Sequence, residues 1–178
     1  MSVRRLSSSF ILAVALAPAG LGAERPPLPE NLAPKAAITS DSEFSGQYLA
    51  RFVADGSIPP AGSQAADLGK AWCVRGDTHR GGAAITFSWP SEITVAELVY
   101  HGRTSWFAEE CWKGYEVLLD GAAAPVLSGT LEMGHGPQRL DLPAPARARS
   151  LTIRFTSSYG GFNPGAAEIQ VFSERAAD

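Results

Sequence analysis

The side chains able to do chemistry in this 178-residue chain are few and scattered. His79, His101 and His135 lie in three separate segments, none at the i, i+4 spacing of a helical metal pair. Each is a conceivable ligand contact, and each also reads as an ordinary polar loop residue. Glu109 and Glu110 are adjacent carboxylates, but neighbours in an extended segment point to opposite faces and make no ready acid/base pair. No G-x-S-x-G elbow, HExxH helix or phosphate-binding glycine loop is present. Arg75-Gly76-Asp77 matches an adhesion tripeptide, but three residues coincide too easily to carry weight. Cys73 and Cys111 each sit beside a tryptophan, Trp72 and Trp112, and neither has the CxxC spacing of a zinc site.

The N-terminus decides how the cysteines are read. Arg4 and Arg5, the apolar run from Phe10 to Ala17, and the small residues at Leu21-Gly22-Ala23 form a signal peptide over residues 1–23. The apolar run is shorter than the roughly 20 residues a membrane anchor needs, so no membrane insertion is expected after its removal. The protein is therefore expected to be secreted or periplasmic. In such an oxidising compartment an even pair of cysteines is expected to bridge, and a Cys73–Cys111 disulfide would close a loop worth roughly 4 kcal/mol. Two buried free thiols are the alternative.

The elements that must position these residues are short. With 18 glycines and 13 prolines the chain disfavours long helices, and a coiled coil is excluded. Residues 24–34 form a proline-rich leader, and one domain occupies residues 35–175. The stretch from Ser40 to Ala50 has room for one helical turn, and Phe52 to Gly82 reads mostly as loop. Strand alternation then takes over. Ile85, Phe87 and Trp89 share one face, Leu140 and Leu142 another, Leu151, Ile153 and Phe155 a third, and Ile169 points inward near the end. The face formed by Ile93 and Val95 shifts to Leu98 and Tyr100, which predicts a bulge at Ala96–Glu97. Asp120-Gly121 marks a hairpin turn. About seven short strands without intervening helices predict an all-β antiparallel β-sandwich. The net charge of −3 gives no reason to expect nucleic acid or an anionic membrane as partner.

The order of several short motifs then matters. NLAPKAAITSDS, RFVADGS, AW, ITFSW, YEVLLDG and ARSLTIRF…GFNPGAAEIQVF follow one another from about Asn31 to Phe172. In that order they resemble the discoidin, or coagulation factor 5/8 type C, domain, which overlaps the family 32 carbohydrate-binding modules. The resemblance implies a jelly-roll sandwich of the galactose-binding-domain type. It also implies a structural calcium held by Asp55 of VADGS and Glu168 of AAEIQ. Two carboxylates and a few loop carbonyls suit a hard cation. Ile58-Pro59-Pro60 departs from the polar residues often found there, and Asp55 and Glu168 can instead cap loop amides.

The resemblance places a ligand site on loops at one end of the sandwich, here HGRTSWF and SYGGFNPG. Arg103 is then the candidate for forked hydrogen bonds to sugar hydroxyls. Trp106, Tyr159 and Phe162 are candidates for an aromatic platform under a pyranose, with His101 and Asn163 as polar contacts. Each ring can equally be a packing plug, and Arg103 can equally pair with Glu109 or Glu110. Trp72, Trp89 and Trp112 lie in or beside strands and are expected in the core. The expectation is a secreted, non-catalytic, monomeric module with a glycan or polysaccharide partner. A discoidin-type adhesion, protein- or lipid-binding domain is the first alternative, and a small hydrolase on the same fold is the second.

Overall fold

The computed structural model describes residues 29–175, apart from 63 and 104–106. Seven strands account for most of it: β1 (Ala37–Ser40), β2 (Trp72–Cys73), β3 (Ala83–Gly102), β4 (Trp112–Leu119), β5 (Leu127–Thr130), β6 (Pro137–Ser158) and β7 (Gly165–Phe172). All their pairings are antiparallel, in the order β2-β7-β3-β6-β4-β5 with β1 on the free side of β3. The protein is an all-β sandwich, as the alternation predicts.

The layers arise because β3 and β6 are each long enough to serve both. Their pairing skips from Ser88 to Ile93, around Trp89-Pro90 and opposite Arg149, and β6 carries Pro143 and Pro145 a few residues further along. A proline gives no ladder hydrogen bond, so both strands bend there. On one side of the bend Ala83–Ser88 pairs with β1 and with Ser150–Phe155, which continues to β4 and β5. On the other side Glu97–Gly102 lies between β7 and Pro137–Asp141. A second register shift falls between Val95 and Glu97, at the expected bulge. Asp120 and Gly121 take positive φ in the β4–β5 turn, where Asp120 accepts the Arg149 and Ser150 amides at 2.8 Å.

Between the layers lie Ile85, Phe87, Leu98, Leu142, Leu151, Ile153, Phe155, Ile169 and Val171, all buried. Trp72, Trp89 and Trp112 join them, and the Trp112 and Phe155 rings stack with centroids 4.8 Å apart. Strands β1 and β2 escaped the sequence reading because four and two residues are too few to show a period. The helical turn falls at Ala50–Ala54, sharing only Ala50 with the expected stretch and extending into the segment read as loop. Among the described residues no helix is long and apolar enough to cross a membrane.

The expected Cys73–Cys111 disulfide is not formed; both are buried free thiols. The reason lies in the sheet. Cys73 pairs with Gly165 from one side, and Cys111 bridges to the same Gly165 from the other. That leaves them two strand spacings apart, roughly 9–10 Å, beyond the ~4.4–6.8 Å between the Cα atoms of a bridged pair. Burial pushes the Cys73 thiol up to about 12 and the Cys111 thiol to about 11, so neither is a thiolate at neutral pH. A disulfide-exchange reagent should therefore find no reactive thiol in the native protein and both after unfolding in guanidinium. Unfolded protein with no titratable thiol would show that the pair is bridged.

Candidate functional site

Three loops meet at one end of the sandwich. One follows β1 and carries Phe44 and Tyr48; one leaves β3 at Arg103 and returns through the turn Ala108–Glu110; the third joins β6 to β7 through Ser158–Pro164. They are tied closely. The Phe44 amide donates to the Cys73 carbonyl at 2.8 Å, and the Val74 amide to the Pro164 carbonyl at 3.0 Å. Two glycines permit the approach of the third loop. A Cβ on Gly161 would lie 2.5 Å from the Glu109 carbonyl oxygen, and one on Gly76 only 1.5 Å from that of Phe162. No side chain fits at either place.

Arg103 is the hub of this end. It is only 3% exposed, and its Nε donates to Asp67 Oδ2 at 2.8 Å. Its Nη1 donates to Glu110 Oε2 and, at 2.9 Å, to the Asn163 carbonyl. Asp67 also accepts the Tyr48 hydroxyl at 3.2 Å, and the guanidinium sits 4.8 Å from the centroid of the Tyr48 ring. Burial, followed by the negative charge of Asp67, pushes the Tyr48 hydroxyl up to about 12. Glu110 accepts the Asn163 amide at 3.2 Å through its other oxygen. Three of the five guanidinium N–H groups are thus engaged, and the two on Nη2 make no bond among the described residues.

Above this network lies a shallow cleft of about 90 Å³, lined by Phe44, Tyr48, Cys73, Arg103, Phe107, Glu110 and Asn163. Its rim is apolar and open: Phe44 is 45% exposed and Phe107 48%. The arrangement offers ring faces to a ligand's C–H surface, and a donor and a carboxylate to its polar groups.

The residues expected at this site are distributed as follows. Arg103 and Asn163 are in the cleft, Asn163 further fixed by its Nδ2 donating to the Val74 carbonyl at 2.8 Å. Phe162 is 57% exposed beside the cleft and does not line it. Tyr159 is half-buried; its hydroxyl donates to the Leu131 carbonyl at 2.6 Å, and the Lys113 ammonium stands 5.5 Å from its ring centroid. His101 lies on the outer face of the β3–β7 pair, buried, with Nε2 3.4 Å from Gln170 Oε1, and desolvation lowers its pKa. Trp106 lies outside the described residues. Phe44, Tyr48 and Asp67 were not anticipated here because they stand in a loop without periodicity, nor was Cys73, in a strand of two residues. Glu110 was foreseen only as a partner for Arg103.

The acidic pair sits elsewhere, where the loop after Ala50–Ala54 covers β7. Glu168 is fully buried, and neither carboxylate oxygen has a hydrogen-bond partner. Burial, and then the charge of Asp55, raise its carboxyl to about 8, with the Gly56 amide close enough to offset part of this. Asp55 Oδ1 accepts the Ser57 amide at 2.8 Å. Two orphaned buried oxygens facing a second carboxylate suit a cation. Among the described residues no three His, Cys, Asp or Glu side chains converge, so backbone carbonyls would have to complete the shell.

No protein-family model matches this chain, and no curated protein matches it by sequence. Solved structures do. The family 32 carbohydrate-binding module of C. perfringens NanJ, in complex with galactose, is 18% identical with a TM-score of 0.66, over 80% of this chain and 97% of that one. CpGH89CBM32-5 from Clostridium perfringens, in complex with GalNAc-β-1,3-galactose, gives 18% and 0.65, over 80% and 99%. A Streptococcus pneumoniae fucose-binding module gives 18% and 0.64, over 82% and 96%. The chain thus has the discoidin-like, galactose-binding-type β-sandwich fold of the family 32 carbohydrate-binding modules.

Proposed function

We propose that this protein is a secreted, non-catalytic module that binds carbohydrate in the cleft between Phe44, Phe107 and Asn163. The observation that carries the reading is the pairing of two half-exposed rings with a buried, hydrogen-bonded arginine beneath them. A pyranose needs both parts: ring faces for its C–H surface and oriented polar groups for its hydroxyls. Two of the structures compared above are complexes with galactose and GalNAc-β-1,3-galactose and the third is a fucose-binding module; each of these sugars is a small polyol with one apolar face. Export rests on the N-terminal signal of residues 1–23, and a monomer is expected. Asp55 and Glu168 are proposed to hold a structural calcium, which would neutralise the buried Glu168 carboxylate and tie the covering loop to β7.

Affinity should be modest. A monosaccharide of about a dozen heavy atoms gains only a few kcal/mol at roughly 0.3 kcal/mol per atom, so dissociation constants near millimolar are expected. Titration of isotope-labelled protein against a sugar panel should move the amide signals of Glu110 and Asn163. Phe107→Ala removes a half-exposed wall and should weaken binding about five- to tenfold, the loss of one ring contact, while the fold survives. Wild-type affinity in that variant, or shifts confined to the outer face near His101 and Gln170, would move the site elsewhere.

A further inference from the structure

Resting on that reading of the cleft, we infer that it selects sugars bearing a free amine, hexosamine residues above all, over acidic sugars. The cation at its floor is already outweighed. Arg103 faces two carboxylates, Asp67 and Glu110; all three are buried, and each carboxylate accepts a hydrogen bond from the guanidinium. The cluster therefore carries one net negative charge. Of its members, Asp67 is fully buried, whereas Glu110 and Arg103 line the cleft. An incoming carboxylate would meet Arg103 together with both of its counter-charges, and would gain less from the guanidinium than it loses to the pair. An ammonium meets the opposite balance.

The walls act in the same direction. Phe44 and Phe107 line the small volume with half-exposed rings, whereas the Tyr48 ring already carries the Arg103 guanidinium, and a cation over an aromatic face is attracted by the ring quadrupole. The loop after β1 carries two exposed cations, Arg51 and Lys70, and the segment after β2 a third, Arg75, 3.5 Å from Asp77. The cleft loops also carry two further exposed carboxylates, Glu43 and Glu109, each preceding a cleft residue in the chain. The surroundings thus do not reverse the sign set by the floor.

The test compares three ligands of equal length at pH 6 and low salt: a glucosamine oligomer, its N-acetylated counterpart and a galacturonate oligomer. The amine form should bind about tenfold more tightly than the acetylated one, the uronate most weakly, and the amine's advantage should shrink as salt is added. Glu110→Gln neutralises the cluster and should narrow the ratio between amine and acetylated ligands. Equal affinities for those two, a tighter uronate, or an unchanged ratio in folded Glu110→Gln would overturn the charge selection while leaving a carbohydrate site in place. Absence of binding by any sugar, neutral ones included, would instead remove the carbohydrate reading and this inference with it.

Discussion

Arg103→Ala is expected to destabilise the protein by about 3–5 kcal/mol, the range found when one partner of a buried ion pair is removed. The side chain leaves two acceptors behind. Asp67 is fully buried and, among the described residues, keeps the Tyr48 hydroxyl; Glu110 loses its ion pair and keeps the Asn163 amide. The Asn163 carbonyl loses its donor too, so the loop between β6 and β7 loosens along with the turn at Ala108–Glu110. For a domain of this size, at about 2–4 °C per kcal/mol, the melting temperature should fall by roughly 6–20 °C. Arg103→Lys retains the charge but not the fork, and should recover part of the loss. A melt within 2 °C of wild type for the alanine variant would mean that the network contributes nothing net. This result also governs binding experiments: lost sugar affinity in Arg103→Ala would not by itself separate a missing contact from a loosened site, and Phe107→Ala is the cleaner probe.

That outcome differs from what a loop arginine suggests in sequence, and the difference shows where sequence reading stops. Strand faces are legible because each is a local period: Ile85, Phe87 and Trp89, or Leu151, Ile153 and Phe155, declare their direction within a few residues, and all are buried. The bulge at Glu97 and the turn at Asp120 are legible for the same reason. The partners of Arg103 are not. Asp67 is 36 residues away in a loop with no regular pattern, and only the packing of three loops brings it within 2.8 Å. The cysteines fail in a related way. Their even number and the expected export signal argue for a bridge, but the strand of Gly165 between them is a fact of topology that no count reveals. Motif order gave Asp55 and Glu168 as a pair, and the fold brings their charges together.

Glu168 sets the second large effect, and it depends on pH. In metal-free protein its carboxyl is raised by burial and by Asp55 to about 8, against an ordinary value of 4.5. Between those values the folded state holds a proton that the unfolded chain has released. Stability is then present in full below about pH 4.5 and is lost progressively as pH rises through about 8. At ~1.4 kcal/mol per unit the whole window amounts to about 5 kcal/mol. Denaturant melts in chelator should therefore show a midpoint that declines steadily from pH 5 to pH 8. Calcium favours the ionised carboxylate and should abolish that decline, adding about 4 kcal/mol at pH 8 when the ion stands at 1,000 times its dissociation constant. Glu168→Gln keeps the shape and removes the titration, so its profile should be flat across the window and indifferent to calcium. Melts at pH 8 that coincide in millimolar calcium and in chelator would show that the acidic pair takes no ion. A flat wild-type profile in chelator would show that Glu168 ionises normally, leaving the orphaned carboxylate without the energetic role its burial assigns it.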